Sequence, residues 1–250
     1  MSPFDAVAIA AAGLAAGTIN AVVGSGSLIT FPTLLALGYR PVVANVSNNV
    51  GLVPGGLSGV VGYRRELRGQ RARVTRLAWS SAAGGLTGAI LLLVLPGRVF
   101  RDVVPVLILL GCGLVVVQPR LSGWVAGRRD GGEESLSPAL LASVFATGVY
   151  GGYFGAAQSV ILIALLGIFL DDQLQRLNAA KNLLVMVVNG VAAAVFVVAA
   201  PVAWQVAGLI AAGSVVGGQI GAGVGRRLPA PLLRGVIVVV GLVAAVTLLA

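Results

Sequence analysis

The chain has 250 residues, of which 58% are apolar and only 10% charged, with 36 glycines. That composition argues against a soluble helical protein, whose outer helices need polar faces, and in favour of a polytopic membrane protein. Histidine is absent, which removes imidazole metal ligation and histidine acid–base chemistry, and the lone Cys112 has no partner for an intramolecular disulfide.

The first apolar stretch, 6–23, follows Asp5 rather than a basic n-region, which predicts a retained spanning segment instead of a cleaved signal peptide. Asn20 and the loop-forming run Gly24-Ser25-Gly26-Ser27 interrupt the apolar sequence before a second segment at 27–38. A backbone break at membrane depth persists only where protein, water or a ligand satisfies the freed N–H and C=O groups, which marks a transporter rather than an anchor. Further segments are predicted at 41–63, 74–95 and 103–118, then at 138–156, 158–170, 177–200, 202–224 and 231–249. Segments 27–38 and 158–170 are too short to stand upright across a hydrocarbon core ~30 Å thick, which takes roughly 20 residues at ~1.5 Å each. They read as half-helices or strongly shortened crossings.

The two sets of five segments resemble each other. Gly17-x-x-Asn20-x-x-x-Gly24-x-Gly26 lines up with Gly148-x-x-Gly151-x-x-x-Gly155-x-Ala157. Leu95-Pro96 with Phe100-Arg101 matches Leu228-Pro229 with Leu233-Arg234 at an offset of 133. The expected fold is therefore an all-α polytopic membrane protein built as an inverted repeat of five segments, including short or broken helices. Residues 1–118 form the first repeat, 119–137 a connecting loop carrying Pro119, Gly123, Gly127, Gly131 and Gly132, and 138–250 the second repeat. Gly84-x-x-x-Gly88 and Gly213-x-x-x-Gly217 are expected to let helices approach closely.

Charge placement orients the segments. If all ten cross, Arg64, Arg65, Arg68, Arg71, Arg73 and Arg76 share a side with Arg120, Arg128, Arg129, Arg176, Arg226, Arg227 and Arg234, and only Arg40, Arg98 and Arg101 fall opposite. The positive-inside rule then puts both termini outside the cytoplasm of a bacterial inner membrane. The net charge of +9 is thus topological, facing anionic lipid headgroups, and not a nucleic-acid surface: the Arg64–Arg76 cluster lacks interleaved aromatics.

Three groups are candidates for solute binding. Around Asn20, Gly24, Ser25, Gly26 and Ser27, backbone donors and polar side chains could receive an oxyanion, or the glycines could simply admit a neighbouring helix. Asn45, Ser47, Asn48 and Asn49 crowd an apolar segment; Asn48 and Asn45 are the favoured solute contacts and Asn49 a bridge between helices, against the alternative of a wholly structural network. The matching stretch contains Asn178, Lys181 and Asn182, with Lys181 at an offset of 133 from Asn48. Lys181, the only lysine, either reaches an anion at the centre or snorkels to the interface. No acidic residue occupies the middle of a segment, which weakens a carboxylate proton relay, and no cofactor is called for. Sodium coupling through amide, hydroxyl and carbonyl oxygens stays open beside simple anion uniport. The competing classes are a membrane-embedded enzyme, which would lack an embedded base, and a structural scaffold.

Gly17-Thr18-Ile19-Asn20-Ala21-Val22-Val23-Gly24-Ser25-Gly26-Ser27 through Gly38, continuing into Pro41 to Asn49, resembles the first sequence region of the TauE/SafE sulfite exporter family of bacterial permeases. The second region is thinner at Gly155-Ala156-Ala157, where family members carry more glycine, and recovers at Leu177-Asn178-Ala179-Ala180-Lys181-Asn182. The resemblance implies export of a small sulfur-containing anion, sulfite or an organosulfonate, without an ATPase domain in the chain. Oligomeric state, cargo and coupling ion are not implied.

Overall fold

A computed structural model describes residues 1–22, 24–127, 136–223 and 230–249, and contains ten helices and no strand among them. In chain order they are α1 (Pro3–Val22), α2 (Ser27–Ala36), α3 (Pro41–Gly62), α4 (Arg71–Val94), α5 (Gly97–Gly127), α6 (Pro138–Tyr153), α7 (Gln158–Phe169), α8 (Leu174–Ala199), α9 (Trp204–Gly223) and α10 (Ala230–Leu249). Each predicted segment coincides with one helix. The largest difference is α5, which runs through Pro105 and Pro119 into the stretch expected as the connector. Arg128, Arg129, Arg226, Arg227, Leu228 and Pro229, used above for sidedness and repeat matching, lie outside the described residues.

The outside of the bundle is apolar. Trp79, Val94, Val198 and Leu242 are exposed, an arrangement that suits lipid and not water. Among the described residues, Pro3–Asn20, Arg71–Val94, Gly97–Leu121 and Leu174–Ala199 are each long and apolar enough to cross a membrane, and α2, α7 and Arg234–Val246 are shorter apolar stretches. The protein is a multi-pass membrane protein.

Its principal helix pairs come in matched sets. α1 packs on α9 as α6 packs on α4, α3 on α9 as α8 on α4, α2 on α10 as α7 on α5, and α2 on α3 as α7 on α8, while α3–α8 and α5–α10 pair across the middle. Exchanging each helix for the one five places along leaves this pattern unchanged.

The closest approaches are made by the expected small-residue runs. A Cβ added at Gly213 or Gly217 of α9 would strike the backbone carbonyls of Ala10 or Leu14 on α1, and one at Gly84 or Gly88 of α4 would strike those of Phe145 or Val149 on α6. Residue numbers rise together along each pair, so both pairs run parallel. Between lipid-exposed helices there is no hydrophobic driving force, and backbone-to-backbone van der Waals contact supplies the association. Thr18 reinforces the first pair by donating its hydroxyl to the Gly217 carbonyl at 3.1 Å.

One end of the bundle is tied by charge. Asp172, between α7 and α8, accepts from Arg73 at the start of α4 and from Arg176 Nε at 2.8 Å. Arg176 also donates to the Arg68 carbonyl at 3.2 Å, and Gln70 Nε2 donates to the Arg176 carbonyl at 3.4 Å. The α3–α4 and α7–α8 loops therefore share one end, with their arginines together.

Burial works against the charged form of Asp172, but hydrogen bonds from Arg73 and Arg176 outweigh it and hold the carboxyl below its ordinary range. A carboxyl depressed in the folded state stabilises the fold fully above its unfolded pKa and loses that contribution as pH falls through the folded value. Asp172→Asn is expected to cost about 2 kcal/mol at neutral pH, the scale of a hydrogen-bonded charge. Its thermal midpoint should also become less sensitive to acidification below pH 4 than that of the wild type. Equal acid sensitivity in the two proteins, measured by melting in detergent, would show that the pairing contributes nothing.

Candidate functional site

Both broken segments break in the same way. Gly24 and Gly155 adopt positive φ, 85° and 78°, a conformation glycine enters without steric cost. Gly24 N–H closes onto the Ile19 carbonyl at 3.0 Å and Gly155 N–H onto that of Tyr150 at 3.1 Å, bonds at matched positions of the two halves. The chain then restarts as the short helices α2 and α7, whose N-cap residues Gly26 and Ala157 supply no capping side chain. First-turn N–H groups have no acceptor within their own helix and concentrate partial positive charge there. In the second half the N-cap residue Ala157 is left-handed, φ 59°, where an alanine is strained and a glycine would not be.

The two restarts meet. A Cβ on Gly24 would lie 2.5 Å from Ser159 Cβ, 2.8 Å from its Oγ and 3.5 Å from Lys181 Nζ. The start of α7 thus presses against the α1–α2 turn, with the ammonium of α8 at van der Waals range of the same point, and any side chain at 24 would collide with Ser159. Lys181 is buried, 6% exposed. It makes no hydrogen bond or ion pair among the described residues, and no carboxylate pairs with it there. The structure therefore places Lys181 in the interior beside the turn and not extended toward the interface.

A cavity of ≈ 290 Å³ leads to this point. Its inner end is walled by Asn20, Gly24, Ser25, Gly26, Ser27 and Ser159, and its flanks by Asn178, Asn182 and Asn189 of α8 facing the glycines of α3. It extends to Tyr63 and Gln175, at the arginine-rich end. At the opposite end Phe31, Phe100, Tyr153 and Phe154 pack edge to face, with Phe31 and Phe154 centroids 5.2 Å apart. The passage is open toward one side and filled by rings on the other.

Among the residues expected at the site, Asn20, Gly24, Ser25, Gly26, Ser27 and Asn182 line the cavity. Asn20 has a second task, since its Oδ1 accepts the Gly26 N–H at 2.7 Å and fixes the turn. The cavity wall does not include Asn45, Asn48 or Lys181; the Lys181 ammonium lies behind the wall at Gly24. Asn45 donates to the Tyr153 carbonyl at 2.9 Å, tying α3 to the end of α6, and Asn48 accepts from the Thr30 hydroxyl, tying α3 to α2. Asn49 reaches Asn189 of α8 at 3.5 Å, the bridging position expected of it. Ser159 and Gln175 were not anticipated. Ser159 was readable as a hydroxyl at the start of the second short segment, matching the serines that open the first.

A chain with two glycine-broken segments, an interior cation and a one-sided polar cavity has the parts of a solute carrier, and comparison with known proteins agrees: the family model described as Sulfite exporter TauE/SafE matches residues 9–248. The chain belongs to the TauE/SafE family. It is 27% identical over 231 residues to a protein of Haemophilus influenzae named "Probable membrane transporter protein", covering 91% of this chain and 88% of that one. A Sinorhizobium sp protein named "Probable membrane transporter protein ORF9" is 26% identical across 94% of this chain and 88% of its own length. The Escherichia coli K12 protein named "Probable membrane transporter protein YfcA" is 25% identical across 94% of this chain and 86% of its own. No solved structure matches the chain. This TauE/SafE chain is a membrane transporter, not an enzyme.

Proposed function

We propose that the protein carries a small sulfur-containing anion, sulfite or an organosulfonate, out of the cell across the bacterial inner membrane. The observation that carries the anion reading is the unpaired, buried Lys181 ammonium beside Gly24, where the N-termini of α2 and α7 converge. A lone cation in a low-dielectric interior is unfavourable without a counter-ion, and a bound anion supplies one. The cavity of ≈ 290 Å³ is at the small end of ligand pockets and suits a cargo of a few heavy atoms. The sulfur class rests on the family and on the oxyanion-binding character of helix N-termini. Backbone donors at Ser25 and Ser27, on a turn shaped by Gly24 and Gly26 whose own N–H groups go to Ile19 and Asn20, form the site with the Ser25 and Ser27 hydroxyls, Asn20, Lys181 and Asn182, and Asn45 and Asn48 support it through the bonds that hold α3. Residues 1–118 and 138–250 act as the two inverted repeats, joined through 119–137; the exchangeable helix pairing supports that division. Electrodiffusion is the simplest drive: an inside-negative potential of ~100 mV favours exit of one negative charge by ~2.3 kcal/mol.

Proteoliposomes loaded in turn with sulfite, thiosulfate and several sulfonates should release at least one of them in a protein-dependent, voltage-sensitive manner. Correctly inserted protein that releases none of them would eliminate the sulfur-anion class.

The arginine-rich end is assigned to the cytoplasm and both termini to the opposite side, making the open cavity inward-facing. Single cysteines placed at position 65, exposed in the α3–α4 loop, and at the C-terminus of a Cys112→Ser protein should react with impermeant thiol reagents from opposite sides. Labelling of both from one side would reject the ten-crossing arrangement.

A further inference from the structure

Gly55, Gly56, Gly59 and Gly62 lie on the face of α3 that lines the cavity, and they do not all serve packing. A Cβ on Gly55 would strike Ser214 of α9, whose Oγ would be 2.7 Å away, so that glycine admits a neighbouring helix. One on Gly56 would reach only Met186 of α8, at 3.8 Å, an ordinary contact. At Gly59 it would meet nothing within 4 Å. Small residues in membrane helices are usually explained by the close approach of a second backbone, and at Gly59 none approaches. Glycine is also less favourable than alanine inside a helix. The space that Gly59 leaves open belongs to the cavity.

Across the passage runs a line of amides. Asn178, Asn182 and Asn189 of α8 line the same cavity at spacings that place them on one helix face. Asn178 and Asn182 make no hydrogen bond among the described residues. At the inner end Ser25 lines the cavity, is 2% exposed, and its hydroxyl has no partner among the described residues. The described lining holds no charged side chain, so amide N–H groups are its donors to an anion. We infer that Gly59 determines cargo size: the cargo's polar head follows the α8 amides, its body passes α3 at Gly59, and the absent side chain sets the widest cargo that can pass. The inference rests on the anion-transport reading above and deepens it, adding cross-section to charge as a criterion for cargo.

The test compares full-length wild type, Gly59→Ala and Gly59→Leu in proteoliposomes, with methanesulfonate and butanesulfonate as a pair that shares a head and differs in bulk. The ratio of methanesulfonate to butanesulfonate counterflow should rise from wild type through Gly59→Ala to Gly59→Leu, by at least about tenfold overall, the discrimination that a methylene-sized change in a pocket supports. Both variants should melt no lower than wild type, because the added side chain enters open space. A bending role beside Pro54 of the same helix would be lost as fully in Gly59→Ala as in Gly59→Leu, without regard to cargo size. That result, or an unchanged ratio in Gly59→Leu, overturns the assignment. A second measurement needs no cargo. In a Cys112→Ser protein held in lipid nanodiscs, Gly59→Cys should react readily with a small anionic thiol reagent, and Val216→Cys, on the exposed surface of α9, should not. If wild type moves neither sulfonate nor sulfite, the sulfur-anion reading fails by itself. The labelling still decides the place of Gly59: reactivity no greater than that of Val216→Cys overturns it.

Discussion

Lys181→Met should lower anion transport efficiency by between about 10- and 100-fold, the range of a hydrogen bond to a charged group, with folding and membrane abundance close to wild type. Methionine keeps the length and flexibility of lysine and removes only the charge, and no ion pair is broken because Lys181 has none among the described residues. Removing a buried, unpartnered cation relieves a desolvation cost, so the empty protein should be no less stable. Lys181→Arg keeps the charge but replaces a compact ammonium by a larger planar fork in the buried space beside Gly24. It should retain partial transport. A concentration series in proteoliposomes separates weakened binding from a lower rate. Wild-type affinity and rate in Lys181→Met would remove the residue from the site.

Gly217→Leu should abolish or sharply reduce folded protein, by contrast with Gly208→Leu on the same helix. A side chain at Gly217 meets the Leu14 carbonyl and lies 3.0 Å from Thr18 N, both backbone atoms of α1 that cannot rotate aside. At Gly208 nothing lies within 4 Å. Separating α1 from α9 loses the contact that holds them and the Thr18 bond to the Gly217 carbonyl. Overpacking of this kind costs about 3 kcal/mol, which lowers a thermal midpoint by roughly 6–12 °C in a chain of this size. Size-exclusion yield and melting of the two variants check it. Equal behaviour of the two would mean that the close approach of α1 and α9 does not limit stability.

The cavity wall illustrates how far residues could be read alone. Gly24 and Gly155 declared themselves in sequence because a break between apolar segments requires residues that turn freely, and both turn with positive φ. Asn45, Asn48 and Asn182 were equally legible as polar groups within apolar segments, yet only Asn182 lines the cavity. Asn45 and Asn48 bond to the Tyr153 carbonyl and the Thr30 hydroxyl. Most buried amides find partners wherever they lie, so the presence of one does not say whether a solute or the protein supplies them.

The sequence by itself determined the membrane class, the ten helical segments, the two breaks and the arginine-rich loops. These follow from properties local to the chain: apolar length, the need of each segment to satisfy its own backbone in lipid, and the freedom of glycine. Tertiary structure decided which breaks meet, which end of the passage is open, and that the Lys181 ammonium lies beside Gly24 instead of at the interface. Those outcomes depend on the register of parallel helix pairs packed glycine to backbone. Register is set by contacts between residues as far apart as Leu14 and Gly217, which no local pattern contains.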